Sequence, residues 1–298
     1  MIIFDFKLQA IEKMRKIGII IKKNKPEGID LARELISWLA ERDVEALCDR
    51  EDAPELKIEK GYAPEEIAEL ADLIIVLGGD GTLISVARLV GRKSTPILAV
   101  NLGNLGFLTE ITVEEIFPVM ETILAGDYSL EERMMLKASI YRRGEKVTEY
   151  CALNDVVISK GSIARIIDIE TTIDNQFLTL YRVDGLIFCT PTGSTGYSLA
   201  AAGPIAYPTL RAIIITPICP FTLNNRPIII PEDSTVRVTL KTEDVDYLLT
   251  MDGQVAYELK AEDTVKIEKA TTVTRLIKSP YRDYYEVLRT KLQWGGSR

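Results

Sequence analysis

Histidine is absent from the 298 residues. Its absence removes Ser-His-Asp and Cys-His catalysis and every His-ligated zinc or iron site, so proton transfer falls to Asp, Glu, Lys, Tyr or Cys. Cysteine is sparse. Cys48, Cys151, Cys189 and Cys219 stand singly, with no CxxC pair and no metal-ligand spacing, and read as reduced core residues of a cytosolic protein. A basic excess is also missing. The 36 Lys and Arg against 44 Asp and Glu leave a net charge of −8, so no broad cationic face for a phosphate backbone is expected and nucleic acid is excluded as a partner. Long apolar runs are lacking too, none approaching the roughly 18 residues of a membrane span. The opening MIIFDFKLQAIEKMRK is broken by Asp5, Lys7, Glu12 and Lys13 and has no signal-peptide h-region. A soluble, cytoplasmic protein with no membrane partner is the expectation.

What remains is an ordinary globular composition, 47% apolar and 27% charged, long enough for one large domain or two. Ile19–Ile21 is a β-branched run, and Leu31, Leu35, Trp38 and Leu39 follow at helical spacing. The alternation continues with a short strand at Val44–Leu47, a helix at Pro64–Leu70 and a fully apolar strand at Leu73–Leu77. A helix at Thr82–Leu89 and a strand at Pro96–Val100 complete it. Thr112 and Glu115 form a capping box for a further helix, with Pro118 awkwardly inside it. This pattern predicts an α/β domain with a doubly wound parallel sheet.

After about residue 133 the period shortens. Leu136–Tyr141, Lys146–Leu153, Arg165–Ile173 and Gln176–Tyr181 read as strands, and Asp252-Gly253 is a hairpin signal. A mostly antiparallel β domain over 134–279 is expected, with the helical tail Asp283–Leu292 returning to the first domain, residues 1–133 with 280–298.

Four segments carry chemistry. Gly78-Gly79-Asp80-Gly81-Thr82 follows the apolar strand and opens a helix, a position where open α/β sheets bind ligands and helix N–H groups favour phosphate. The loop fits neither GxxxxGK[ST] nor GxGxxG. An aspartate among phosphate-binding glycines either faces a metal ion, takes a proton from an attacking hydroxyl, or simply forms the turn. The loop Asn101–Leu108 should lie beside it and complete a cleft, with Phe107 either stacking on a base or plugging the core. The segment Asp184–Leu199 ends a strand in a loop dense with glycine and hydroxyls. There Ser198 and the run Ala200–Gly203 suggest a helix N-terminus with free N–H groups, or an ordinary capped helix. Asn154-Asp155, between apolar strands, either binds ligand hydroxyls or shapes a turn.

Together these segments resemble the NAD kinase family, which phosphorylates NAD to NADP. The resemblance rests on LGGDGTL at Leu77–Leu83, NLGNLGFLTE at Asn101–Glu110, LNDVVI at Leu153–Ile158, DGLIFCTPTGSTGYSLAAAGP at Asp184–Pro204, ICP at Ile218–Pro220 and EVLRTKLQWG at Glu286–Gly295. The GGDGT loop alone also occurs in lipid kinases and phosphofructokinases; its conjunction with TPTGSTxYSLxxxGP is specific.

The resemblance implies that Asp80 is the general base for the adenosine 2′-hydroxyl of NAD as it attacks the γ-phosphate of ATP, or of polyphosphate. Gly81 would lie close to NAD, and Gly78, Gly79, Gly81 and Thr82 would form the phosphate loop. Asn154 and Asp155 would hold a ribose, Phe107 would touch the adenine, and Thr195, Gly196, Tyr197, Ser198, Leu199 and Ala200 would line the nucleoside pocket. Arg165, Arg182, Asp184 and Gln254 come toward the dinucleotide, Asp184 reaching in some relatives into a neighbouring subunit. No protein-held metal is implied; Mg²⁺ enters on the ATP phosphates. The family implies a homodimer or homotetramer formed through the β-rich domain. Asp155 stands where glutamate is usual, Gly196 where alanine is usual, Ala202 where glycine is usual, and Phe221 where many relatives have histidine.

Overall fold

The computed structural model describes residues 14–91, 93–161, 166–243 and 245–294. The chain divides into two compact units, one running through Glu131 and resuming at Arg275, the other Glu132–Thr274.

In the first unit β1 (Lys16–Ile21), α1 (Pro26–Ala40), β2 (Glu45–Cys48), α2 (Ala53–Leu56), α3 (Pro64–Leu70), β3 (Leu73–Leu77), α4 (Asp80–Leu89), β4 (Ile97–Val100) and α5 (Ile116–Leu124) follow one another. The strands pair in parallel in the order β2-β1-β3-β4. Every residue of β3 is buried because both faces of the sheet are covered. Ile17, Ile19, Ile21, Leu73, Ile75 and Leu77 cluster with Leu35 and Leu39 of α1 and Val119, Met120 and Ile123 of α5. On the opposite face Gly18 lets α3 come close: a Cβ there would lie 2.4 Å from Ile67 Cγ2.

The chain leaves β1 for β2, then returns past β1 to β3. The carboxyl ends of β1 and β3 therefore flank the point where strand order reverses, which is where such sheets bind ligands.

Two expectations change here. Helix α4 begins at Asp80 rather than Thr82, because Gly79 is its N-cap and the N–H groups of Thr82 and Leu83 both donate to the Gly79 carbonyl. An acid in the first turn also suits the positive end of the helix. Pro118 is no obstacle, since a 3₁₀ turn at Val113–Glu115 leads into α5 and leaves the proline in the first turn, where its missing N–H has no intrahelical role. The capping contact forms, Thr112 N donating to Glu115 Oε2 at 2.9 Å. The C-terminal helix Tyr284–Leu292 belongs to this unit, capped by Asp283 and burying Val287 and Leu288. Arg282 ties its approach to the unit, donating at 2.7 and 2.8 Å to the two Glu115 carboxylate oxygens.

The second unit is two sheets face to face. Its strands are β5 (Leu130–Arg142), β6 (Glu145–Ala152), β7 (Asp155–Lys160), β8 (Ile167–Ile173), β9 (Gln176–Val183), β10 (Gly185–Cys189), β11 (Ala212–Ile218), β12 (Ile228–Pro231), β13 (Val236–Leu240), β14 (Tyr247–Met251), β15 (Val255–Leu259) and β16 (Thr264–Ile277), whose last residues lie in the first unit. One sheet runs β16-β13-β8-β9, with β5 pairing β16 and β6; the other runs β12-β11-β10-β7-β14-β15. Alternate residues of both sheets, among them Leu136, Ile169, Val238, Val156, Phe188 and Leu249, form one core between them. Central strand β10 is buried on both faces because Ala201 and Ala206 cover the outer side of Ile187 and Cys189.

The helix expected to begin at the hydroxyl-rich loop does not develop. A 3₁₀ turn at Thr192–Thr195 is followed by α6, the single turn Tyr197–Ala200. Ala202 adopts φ +63° and Gly203 N donates back to the Ser198 carbonyl at 2.8 Å, closing the turn before the alanine run can extend it.

Candidate active site

Asp80 sits at the first position of α4, directly beyond buried β3. Its carboxylate is gripped by the loop that follows β4. Phe107 N donates to Oδ2 at 2.8 Å, while Leu108 N at 3.1 Å, Thr109 N at 3.1 Å and Thr109 Oγ1 at 3.0 Å all donate to Oδ1. The two glycine-rich loops thus meet as the sequence led us to expect, and the contact between them is the carboxylate itself. Gly106 makes the approach possible: a Cβ there would lie 2.0 Å from Asp80 Oδ1 and 2.3 Å from Thr109 Oγ1. Gly78 permits the tight turn, since a Cβ would meet Thr82 Oγ1 at 2.6 Å, whereas Gly79 has open space in front of it. Exposed Gly81 and half-buried Thr82 complete the first turn. Phe107 is half buried, and the Lys291 ammonium lies 5.7 Å from its ring centroid.

In the second unit Asn154 sits between β6 and β7 and Asp155 opens β7. Both are held by Asp252, whose Oδ1 accepts from Asn154 N at 2.7 Å and Asp155 N at 3.1 Å and whose Oδ2 accepts from Leu153 N at 3.1 Å. Asp252 and Gly253, at φ +54° and +63°, make the primed turn of the β14–β15 hairpin. The hairpin signal was legible, but the second task of its aspartate was not. The loop after β10 is clamped to the same segment: Thr190 Oγ1 donates to the Leu153 carbonyl at 2.6 Å, Thr190 N donates to the Asn154 carbonyl at 2.9 Å, and a Cβ on Gly193 would lie 2.1 Å from that carbonyl oxygen. Asn154 Oδ1 is buried and meets no hydrogen-bond donor among the described residues.

Residues 17–128 match the family described as ATP-NAD kinase N-terminal domain, and residues 153–279 match ATP-NAD kinase C-terminal domain. This chain belongs to the NAD kinase family. The NAD kinase of Geobacter sulfurreducens is 54% identical over 95% of this chain and 99% of its own, and that of Geotalea daltonii 51% identical over the same shares. Yeast NADH kinase, solved in complex with NADH, superposes with a TM-score of 0.90 at 26% identity, covering 97% of this chain and 90% of that one. An NAD kinase from Archaeoglobus fulgidus, solved with ATP, shares the fold at a TM-score of 0.75 and 22% identity, over 94% of this chain and all of that one.

The remaining residues that the family resemblance nominated fall into different settings. Burial, and next the Asp252 carboxylate, push the Asp155 carboxyl up to about 7. Tyr197 is exposed and Leu199 half buried, but Ser198 is fully buried with its hydroxyl 2.9 Å from Thr216 Oγ1, and Ser194 is likewise spent on the Pro191 carbonyl and Ala206 N. Thr195 Oγ1 bonds the Thr192 carbonyl at 3.3 Å, Gly196 N the Gly193 carbonyl at 2.9 Å, and Ala200 is exposed. Three hydroxyls of this loop and the Gly196 N–H are thus taken internally.

Asp184 pairs with Lys160 at 2.7 Å, and Arg182 with Asp168 at 3.3 Å. Phe221 lies under the Arg182 guanidinium at 5.3 Å, with its N–H on the Arg182 carbonyl. Gln254 is exposed just past the hairpin turn. Arg165 lies outside the described residues. Sequence reasoning passed over Thr109, Asn101, Asp252 and Lys160; the 27 to 29 residues between Asp80 and its donors in the loop after β4 leave no local pattern to read. No group of three or more Cys, Asp or Glu side chains placed to hold a metal occurs among the described residues, and no described helix is long and apolar enough to cross a membrane.

Proposed function

We propose that this chain transfers the γ-phosphate of ATP to the adenosine 2′-hydroxyl of NAD, producing NADP and ADP. Membership of the NAD kinase family supports the reaction, and the observation that carries it to particular atoms is Asp80, a carboxylate fixed by four donors at the head of α4 beside Gly79, which has open space in front of it. Asp80 takes the proton from the 2′-hydroxyl. The 2′-oxygen forms its bond to the γ-phosphorus as the bond to the β,γ-bridging oxygen breaks, and ADP leaves with that electron pair. Mg²⁺ arrives on the ATP phosphates as part of that substrate and offsets their charge, so a net negative protein needs no resident metal.

Gly78, Gly79, Gly81 and Thr82 cradle phosphate. Asn154, with its unsatisfied carbonyl oxygen, and Asp155 hold ribose hydroxyls. Thr195, Gly196, Tyr197, Ser198, Leu199 and Ala200 line the nucleoside pocket, Ser198 through its backbone and packing, and Phe107 touches the adenine. Arg165, Arg182, Asp184 and Gln254 serve the dinucleotide from its margin. The enzyme is cytoplasmic and a homodimer or homotetramer assembled through the β-rich unit, whose sheet ends on strand β9 with Phe177 and Leu180 exposed.

The test is NADP formation by the purified protein from NAD, ATP and Mg²⁺, read with an NADP-specific dehydrogenase, alongside NADH and polyphosphate as alternative substrates. Asp80→Asn is expected to fold and bind NAD while losing about 10²–10⁴-fold in turnover. Wild-type protein that binds NAD yet makes no NADP overturns the reading.

A further inference from the structure

The four donors on Asp80 are unequally shared, three on Oδ1 and one on Oδ2. A carboxylate oxygen offers two lone pairs, so Oδ1 is saturated and Oδ2 keeps one open. The hydroxyl donor among them is itself oriented. Gly103 N donates to Asn101 Oδ1 at 2.7 Å, which fixes the Asn101 amide so that its Nδ2 donates to Thr109 Oγ1 at 2.7 Å. With its lone pair engaged from that side, Thr109 must turn its proton toward Asp80 Oδ1. Both residues are buried, Thr109 at 0% and Asn101 at 7% exposure, and neither hydroxyl nor amide has water to compete for.

We infer that Asn101 and Thr109 are positioning residues for the phosphoryl transfer, acting through one hydrogen-bonded relay that joins the Leu108 and Thr109 N–H groups on Asp80 Oδ1 and so holds the carboxylate with Oδ2 as the oxygen that receives the substrate proton. The inference rests on the proposed NAD phosphorylation. The relay lies within the first unit, and the one residue assigned to nucleotide that its side chains hydrogen-bond is Asp80, so its effect falls on the chemical step.

Initial rates of NADP formation against NAD and ATP test it, with three single variants and one double. Thr109→Val keeps the shape and removes the hydroxyl, and is expected to lower kcat about tenfold, the size of one lost hydrogen bond, with KM for both substrates within about twofold of wild type. Thr109→Ser restores the hydroxyl and most of kcat. Asn101→Leu frees the hydroxyl to rotate and lowers kcat about threefold. Because both act through the same proton, Thr109→Val with Asn101→Leu loses no more than Thr109→Val alone.

Wild-type kcat in Thr109→Val, a serine variant as impaired as the valine one, or losses that multiply in the double variant each overturn the relay. Should Thr109→Val fail to fold, Asn101→Leu decides: kcat unchanged, or KM raised with kcat intact, refutes it. Absence of NADP from wild type sinks the proposed function itself, a result distinct from any of these.

Discussion

Two buried or half-buried aspartates in this chain are handled in opposite ways. Asp80 in the first unit faces four donors, three of them backbone N–H groups of one loop. Asp155 in the second unit is packed out of water beside another carboxylate, Asp252, which itself takes three backbone N–H donors. Burial, and next the like charge of Asp252, disfavours the charged form of Asp155. The same side chain is an acceptor that gathers three N–H groups at Asp252, is fixed in direction by four donors at Asp80, and at Asp155 has its pKa pushed up to about 7. Side-chain chemistry names a candidate, but its surroundings decide what it can do.

The largest blow to this contrast comes from Gly106→Ala. A methyl group 2.0 Å from Asp80 Oδ1 must push the carboxylate or the loop aside, so turnover is expected to fall about a hundredfold while overpacking destabilises the first unit by about 1–3 kcal/mol. Steady-state rates and thermal melts check it; unchanged kcat would show that the grip on Asp80 is not needed.

Asp252→Ala comes next. It strands the N–H groups of Leu153, Asn154 and Asp155 at a cost of about 1–3 kcal/mol. The KM for NAD should rise more than kcat falls, since Asn154 and Asp155 lose their common anchor. It should also bring Asp155 back toward ordinary acidity by removing the like charge. A KM for NAD equal to that of wild type would detach this hairpin from binding.

Asp155→Asn is the sharper probe of electrostatics. The folded protein holds the Asp155 proton up to about 7 against 3.8 for an ordinary aspartate, so the folded state binds more protons across that window and stability falls as pH rises through it. An amide removes this penalty, which is on the order of 4 kcal/mol at most. The gain in thermal midpoint over wild type should be largest near pH 8 and vanish near pH 4. A gain independent of pH would mean that Asp155 does not titrate in this range.

The smallest effect is expected from Phe221→Ala, which removes the ring beneath Arg182. At an exposed site such a contact is worth about 0.5–1 kcal/mol, so stability and turnover should barely move. A large loss of NAD affinity would promote Phe221 from a packing partner to a part of the pocket.

Much of the fold was legible because periodicity is local. Leu73–Leu77 and Pro64–Leu70 are a strand and a helix over those very spans, and Asp252-Gly253 turns a hairpin. The short helix α2 escaped notice because four residues are too few to show a period. The run at Ala200–Gly203 misled for the opposite reason: helix-forming alanines are overridden when Gly203 packs onto Ser198, where a Cβ would lie 2.2 Å from Oγ. Asp80 was conspicuous as an acid among glycines, yet Thr109 and Asn101 look like ordinary loop residues until β3 and β4 lie side by side.

The sequence by itself determined the two-part architecture, the family and the candidate base, since hydrophobic period and an ordered set of motifs are written along the chain. Only the tertiary structure decided which oxygen of Asp80 remains open, which hydroxyls of the Thr190–Ser198 loop are already spent, and that Asp252 anchors Asn154 and Asp155 from about a hundred residues away. Hydrogen-bond partners and like-charge neighbours are set by distances through space, and those distances exist only once the sheets have formed.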